Sequence, residues 1–211
     1  MSRQAPGRRA SRRLERRDAI MRIAQEHFLQ HGYSATSMSH IAESLGGSKA
    51  TLWTYFSSKE DLFRYVINAA SMEFQRELTV GLAQTDSLEE TLLQFCRRLI
   101  ERIVSPSALA LRRVVAAEAV RFPDVAETFY HNVPARLHHV LGALLDPHMR
   151  SGKLRTTDPL EAAEVLTSIC HARCFWRAAF GLNEDVKAHE IQADAKLAVD
   201  VFLRAYSAPG E

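Results

Sequence analysis

Between Thr36 and Phe63 the chain reads TSMSHIAESLGGSKATLWTYFSSKEDLF, two short amphipathic helices joined by one tight glycine turn, and that spacing leaves few folds open. Ser37 opens the first helix, because its hydroxyl can accept an orphan backbone N–H, and Ile41, Ala42 and Leu45 then recur at helical spacing on one side. Ala42 is small enough for a close helix crossing. Gly46 stops this helix, since glycine enters the left-handed region without a Cβ penalty, and Gly47 loosens the turn further. Ser48 caps a second helix predicted over Lys49–Tyr55, with Leu52 and the following Phe56 turned inward and Lys49, Ala50 and Trp53 on the opposite face. A third helix starts after Ser57 or Ser58, where SSKE and SKED both fit the reciprocal serine and acid capping pattern.

Upstream, Ile20, Ile23, Ala24 and Phe28 mark a helix from about Leu14 to His31 that Gly32 closes. With the start of the helix after Ser58 it makes a three-helix head over residues 14–63, whose core is Phe28, Ile41, Leu45, Leu52, Phe56, Leu62 and Phe63. Beyond Phe63 no two-residue alternation is sustained. Breaks fall at Gly81–Ser87, Ser105–Ser107, Phe122–Asp124, Ser151–Asp158 and Gly181–Asp185. Pro106 and Pro123 sit where the first turn of a helix tolerates them, whereas Pro134 and Pro147 interrupt or kink a helix running from about 124 to 150. The expected fold is all-α, about nine helices in total, with a second helical domain over residues 64–211.

The window resembles the DNA-binding segment of the TetR family of bacterial transcriptional regulators: the IA pair, the glycine turn, SK, TL, an aromatic pair and a further SK stand at Ile41–Ala42, Gly46, Ser48–Lys49, Thr51–Leu52, Tyr55–Phe56 and Ser58–Lys59. It departs at Gly47, where the family more often has a branched apolar residue, and at Trp53, where it has tyrosine. Residues 112–166, with RRVVAAEAVRFPDVAETFY, PAR, SGKLR and DPLEAAEVL, are similar to the C-terminal domain of the AefR-like branch. The resemblance implies a ligand-inducible repressor that binds a near-palindromic operator in double-stranded DNA as a homodimer. In relatives the first residues of the second helix and most of the recognition helix touch DNA, which selects Ser37, Lys49, Ala50, Thr51, Trp53, Thr54, Tyr55 and Lys59 here. Of these, Lys49 has the reach to donate to guanine O6 or N7, and Ala50 and Trp53 can press on a thymine methyl. Ser37, Thr51, Thr54, Tyr55 and Lys59 suit phosphates, aided by helix N-termini at Ser37 and Ser58.

The family pairs its last two helices across a two-fold axis, which here selects Leu160, Val165, Leu166, Ile169, Cys170 and Phe180 in one helix and Ile191, Ala195, Ala198, Val201, Phe202 and Ala205 in the other. The same stripes could be core within one chain. The resemblance also implies a ligand cavity between head and dimer surface, for which the candidates are Phe95, Arg113, Phe129, His138, His171, Phe175 and Trp176, since they combine apolar bulk with polar handles for a small-molecule inducer.

Charge is concentrated at one end. Residues 1–17 carry seven arginines against Glu15, a local charge of +6 that leaves −4 for the rest of a chain whose total is +2. Residues 1–13 therefore read as a mobile basic arm that gains affinity by releasing counterions from phosphates; a solvated tail or one drawn to anionic lipid is the alternative. No apolar run approaches the ~20 residues of a membrane span, and the arginine-rich start lacks a secretory apolar core, which points to the cytoplasm. Cys96, Cys170 and Cys174 make an odd number suited to a reducing compartment. Cys170 and Cys174 fall four residues apart, so a redox- or metal-responsive switch is the rival to a ligand-operated one, but four zinc ligands in recognisable pairs are not present. No glycine-rich phosphate loop, nucleophile elbow or paired carboxylates occur, so neither enzyme chemistry nor a cofactor is expected.

Overall fold

A computed structural model of the chain describes residues 8–46, 49–79, 87–183 and 185–208; within these, the side chains of residues 8–11, 49, 75 and 77–79 lie outside the described set. The described elements are α1 (Arg8–Ala35), α2 (Met38–Ser44), α3 (Lys49–Trp53), α4 (Lys59–Thr79), α5 (Leu88–Ile103), α6 (Pro106–Glu118), α7 (Pro123–Asn132), α8 (Pro134–Arg150), α9 (Pro159–Cys170), α10 (Cys174–Ala179) and α11 (Ala188–Tyr206). One isolated bridge, Leu154 with Ser207, is the nearest thing to a strand among the described residues. Gly47, Ser48, residues 1–7 and most of the Gly81–Ser87 break lie outside them.

Two compact units form, and the division is more than one cut: the first holds the chain up to Ala70 together with Leu111–Phe129, the second holds Ser71–Ala110 and Tyr130 onward. The first unit is built on aromatics. Phe28 and Tyr33 of α1 meet Phe63 of α4 edge-on, at ring separations of 5.0 and 5.1 Å, and Tyr33 also meets Phe122 at 5.1 Å. Ile20, Ile41, Leu52, Phe56 and Leu62 are buried with them. Helices as short as α2 and α3 are not stable by themselves, because nucleation costs more than a few hydrogen bonds return. Burial of Leu52 and Phe56, each contributing about 1.5–3 kcal/mol, is what holds α3 in place.

In the second unit α11 packs against α5 and α9, and α8 packs along α9. Phe95, Leu99, Leu141, Leu145, Leu166 and Phe202 are fully buried in this core.

Several expectations need correction. α1 starts at Arg8, not near Leu14: arginine is a good helix former and no breaker separates residues 8–13 from the helix. Gly32 does adopt φ 79°, but as a kink inside α1, with helical residues resuming to Ala35. Leu45 is half-buried, because it is the C-cap of α2 and no longer sits on its inward stripe. Pro134 starts α8, splitting the expected 124–150 helix at Val133, while Pro147 is accommodated inside α8.

The stretch from Leu160 to Phe180 is not one helix. α9 ends at Cys170 and α10 begins at Cys174, with Arg173 between them at φ 43°, ψ −98°. The cause is Asp194 of α11, a buried carboxylate that accepts the Cys174 N–H at 3.0 Å and pairs with the Arg173 guanidinium at 3.1 Å. It satisfies the orphan N-terminal N–H of α10 that a continuous helix would have spent on a carbonyl. Cys170 and Cys174 consequently lie on different helices.

Candidate nucleic-acid interface

The α2–turn–α3 segment follows from its local chemistry. Ser37 is extended at φ −117°, ψ 148°, and its hydroxyl accepts the His40 N–H at 3.2 Å. Gly46 takes φ 62° and donates its N–H to Glu43 O at 2.9 Å, closing α2. His27 of α1 is tied to Ser44 of α2 at 2.8 Å, and Thr36 donates to Gly32 O at 2.7 Å, which fixes how the chain enters α2.

α3 is shorter than predicted, ending at Trp53 instead of Tyr55. Thr54 and Tyr55 form tighter turns, with N–H groups on Thr51 O and Leu52 O at 3.2 and 3.0 Å, and the Thr54 hydroxyl also takes Thr51 O at 2.6 Å. The hydroxyl's claim on that carbonyl competes with helix continuation. With Leu52 and Phe56 buried, Ala50, Trp53 and Thr54 are driven outward, Trp53 with 49% of its surface exposed. Thr51 and Tyr55 are half-buried at the edges of this face, as is Ser37. Lys49 begins α3, but its side chain is outside the described set.

The start of α4 resolves the two overlapping capping patterns in favour of SKED: Ser58 accepts the Asp61 N–H at 3.0 Å, and the Asp61 carboxylate reaches back to the Ser57 N–H at 3.1 Å. Lys59 is engaged inward. Its ammonium donates to Tyr33 O at 2.9 Å and Ser34 O at 3.3 Å and lies 4.4 Å from the Tyr33 ring centre. Burial is the main reason its pKa falls below the usual lysine range. It caps the carbonyls at the end of α1 in this structure, so its role includes bracing α1 against α4. Neighbouring Glu60 accepts the Tyr33 phenol at 3.0 Å, and its carboxyl is held below the usual range, first by its own backbone N–H and then by Ser58.

Arg17 of α1 lies over the rings of Tyr65 and Phe56, at 4.1 and 5.3 Å from their centres, so part of the α1 arginine-rich stretch serves the head's packing. Arg12, Arg13 and Arg16 remain on the accessible side or its margin. Two residues escaped the sequence reading. Glu118, at the end of α6, accepts the Ser34 N–H at 2.7 Å, and Arg121 donates to the Ser34 hydroxyl at 3.4 Å. Contacts spanning more than eighty positions leave no local signal.

The ligand candidates are distributed unevenly. Arg113 and Phe129 belong to the first unit, where Arg113 is exposed and Phe129 half-buried; the others belong to the second. Phe95 and Phe175 are core residues. His138 and His171 converge on Thr167: the His138 Nε2 is 3.1 Å from the threonine hydroxyl, and the His171 Nδ1 is 2.7 Å from the Thr167 carbonyl. Burial lowers the His138 pKa, against the opposing pull of Glu164. Trp176 is exposed and stacks on Phe180 with ring planes 19° apart.

The expected dimer stripes divide in two. Leu166, Cys170, Ile191, Ala195, Ala198 and Phe202 are buried in the unit, and Ile169 packs partly against that core. Leu160, Val165, Phe180, Val201 and Ala205 are exposed, joined by Leu182 and Leu197. The three thiols are buried; burial and Asp194 push Cys174 up to about 12, and Cys170 is raised by its hydrogen bond with Cys96. Thiolates are the reactive species, so these environments suit packing better than redox switching.

No described helix is long and apolar enough to cross a membrane. Residues 20–66 match the model for bacterial regulatory proteins of the tetR family, and residues 90–208 match the AefR-like transcriptional repressor C-terminal domain. Among curated proteins, the repressor ComR of Escherichia coli is 44% identical over 52 residues, 25% of each chain, and the regulator QacR of Staphylococcus aureus 33% over 61 residues, 29% of this chain and 32% of QacR. These alignments span a quarter to a third of the relatives' length. Solved structures match more fully: the flavonoid-responsive regulator FrrA is 33% identical with a TM-score of 0.82, and a TetR-family regulator from Mesorhizobium loti 28% identical with 0.83, each covering 93% of this chain and 99% of the other. The turn at Gly46, the outward edge of α3 and these matches together make the chain a member of the TetR family of bacterial transcriptional regulators, with an AefR-like C-terminal domain.

Proposed function

We propose that the chain is a ligand-inducible repressor that binds a near-palindromic operator as a homodimer in the cytoplasm. The observation that carries this reading is the division of α3 and its flank, which buries Leu52 and Phe56 and leaves Ala50, Trp53 and Thr54 outward. Lys49, Ala50 and Trp53 read base edges; Ser37, Thr51, Thr54 and Tyr55 take phosphates, and Lys59 braces the head or joins them when DNA arrives. Arg12, Arg13 and Arg16 add sequence-independent affinity.

One head covers too little DNA, so two are held about one helical turn apart, roughly 34–36 Å. The exposed Leu160, Val165, Phe180, Leu182, Leu197 and Val201 supply an apolar face for a second copy. A small inducer enters the second unit, where Phe175, His138 and His171 offer an aromatic wall and polar handles. The naming of FrrA as flavonoid-responsive supports a planar phenolic compound. Because α4 is one helix from Lys59 to Thr79, it is the lever by which ligand disfavours DNA, and by reciprocity DNA weakens ligand by the same factor.

Selection of bound fragments from random DNA by the purified full chain tests the reading. A two-fold symmetric sequence is expected, with Lys49→Ala relaxing preference at particular base pairs and affinity falling steeply with salt. Recovery of no preferred sequence, from material that is monomeric at micromolar concentration, overturns it.

A further inference from the structure

In the first unit a cavity of about 270 Å³ opens beside the α6–α7 turn. This is just below the roughly 300–1,000 Å³ of drug-sized sites, so it suits a smaller molecule. Its floor is apolar and rigid: Tyr33, Phe63 and Val125 are almost wholly buried, and Phe122 stands edge-on to Tyr33. That surface favours a single aromatic ring, through its area and through edge and face contacts.

The rim carries two carboxylates and two guanidiniums, and their states differ. Glu60 already accepts the Tyr33 phenol and lies beside its own backbone N–H and Ser58, so its lone pairs are spoken for. Asp124 sits in the first turn of α7, where the helix dipole offsets its charge. Arg64 makes no side-chain hydrogen bond or ion pair among the described residues, and the Arg121 guanidinium makes, among them, a single long 3.4 Å bond to the Ser34 hydroxyl while lying over Phe122. Guanidinium donors in a fixed fork match a carboxylate bidentately. The Asp124 carboxylate, like Arg64, makes no hydrogen bond or ion pair among the described residues, so the mouth offers two guanidinium donors with one unengaged carboxylate beside them.

We propose that this cavity is a ligand site of the first unit for a small aromatic carboxylate, its ring on the Tyr33, Phe63 and Phe122 floor and its carboxylate held by Arg64 and Arg121. The site is separate from the inducer site placed in the second unit. Tyr33 of its floor is followed in α1 by Ser34, whose N–H is held by Glu118 at 2.7 Å.

The probe is benzoate, titrated into the full chain with methyl resonances followed by NMR. Saturable shifts are expected at the methyls of Val125 and Thr128, with affinity at least tenfold weaker in the Arg64→Gln, Arg121→Gln double variant. Both arginines are exposed, so the variant folds, which unchanged methyl spectra without ligand will verify. Benzylamine, of the same shape and opposite charge, binds at least tenfold more weakly than benzoate. Absence of a saturable shift, shifts confined to methyls of the second unit, an affinity the double variant leaves within twofold, or benzylamine binding as tightly as benzoate each overturns the proposal. Operator selection without benzoate is unaffected by any of these outcomes and tests the repressor reading separately.

Discussion

Two helix breaks, one in each unit, are built by opposite means. In the head, α2 stops at Gly46, which takes φ 62° with no atom of the described residues beyond its chain neighbours within 4 Å of where a Cβ would stand. In the second unit, α9 gives way to α10 through Arg173, which holds φ 43° despite its Cβ. The first break is a property of one residue. The second is held from twenty positions away, by a buried Asp194 that bonds the Cys174 N–H and the Arg173 guanidinium. A locally encoded turn keeps its shape whatever surrounds it, and suits a small head that meets DNA. A break imposed by tertiary contact lasts only as long as that contact.

The largest test of this contrast is Asp194→Ala. It leaves the Cys174 N–H unsatisfied in a buried site, which costs about 1–3 kcal/mol, and removes what holds Arg173 in place. Thermal melting should show the second unit destabilised by at least that amount; a loss near zero would mean that the break is intrinsic to residues 170–174. Gly46→Ala comes next. With no steric clash, its cost is confined to the left-handed backbone, about 1–2 kcal/mol, and it should appear in chemical denaturation without any change at the α9–α10 break.

Arg173→Gly is smaller. Relief of a strained φ, of order 1–3 kcal/mol, is set against an ion pair whose guanidinium is largely exposed and whose buried carboxylate keeps its bond to the Cys174 N–H. The variant is expected to be at least as stable as the parent by the same melting measurement, and marked destabilisation would show that the ion pair, not the Cys174 N–H bond, sustains the break. The last effect is absent at neutral pH and confined to alkaline solution. Burial and Asp194 raise the Cys174 thiol to about 12, above its value in the unfolded chain, so the associated stability is complete below the free thiol range near ~8.5 and declines as pH rises towards about 12. Denaturant midpoints measured across that window should fall, and Cys174→Ser should flatten part of the slope.

The same contrast explains what could be read in advance. Ser37, Gly46 and Ser58 announced their helix boundaries because caps and left-handed stops act within three or four residues, and the inward set of Phe28, Ile41, Leu52, Phe56, Leu62 and Phe63 followed from helical spacing. The inward engagement of Lys59 was not legible: the SK pair at the start of α4 looks the same whether its ammonium faces DNA or the carbonyls of Tyr33 and Ser34. Nor was the run from Leu160 to Phe180 legible as two helices, since nothing within it is a strong breaker.

What the chain's order of residues determined unaided is an all-helical protein with a capped, glycine-hinged head, because helix periodicity, caps and turn conformations are short-range. What tertiary structure alone decided is how each apolar stripe is spent. Val165 and Leu166 are neighbours of like chemistry, yet one is 36% exposed and the other wholly buried. Periodicity sets the phase of a stripe; only packing against α5, α8 and α11 determines which part of it is covered, and contacts such as Glu118 to Ser34 or Asp194 to Cys174 join positions too far apart in the chain to leave a pattern in it.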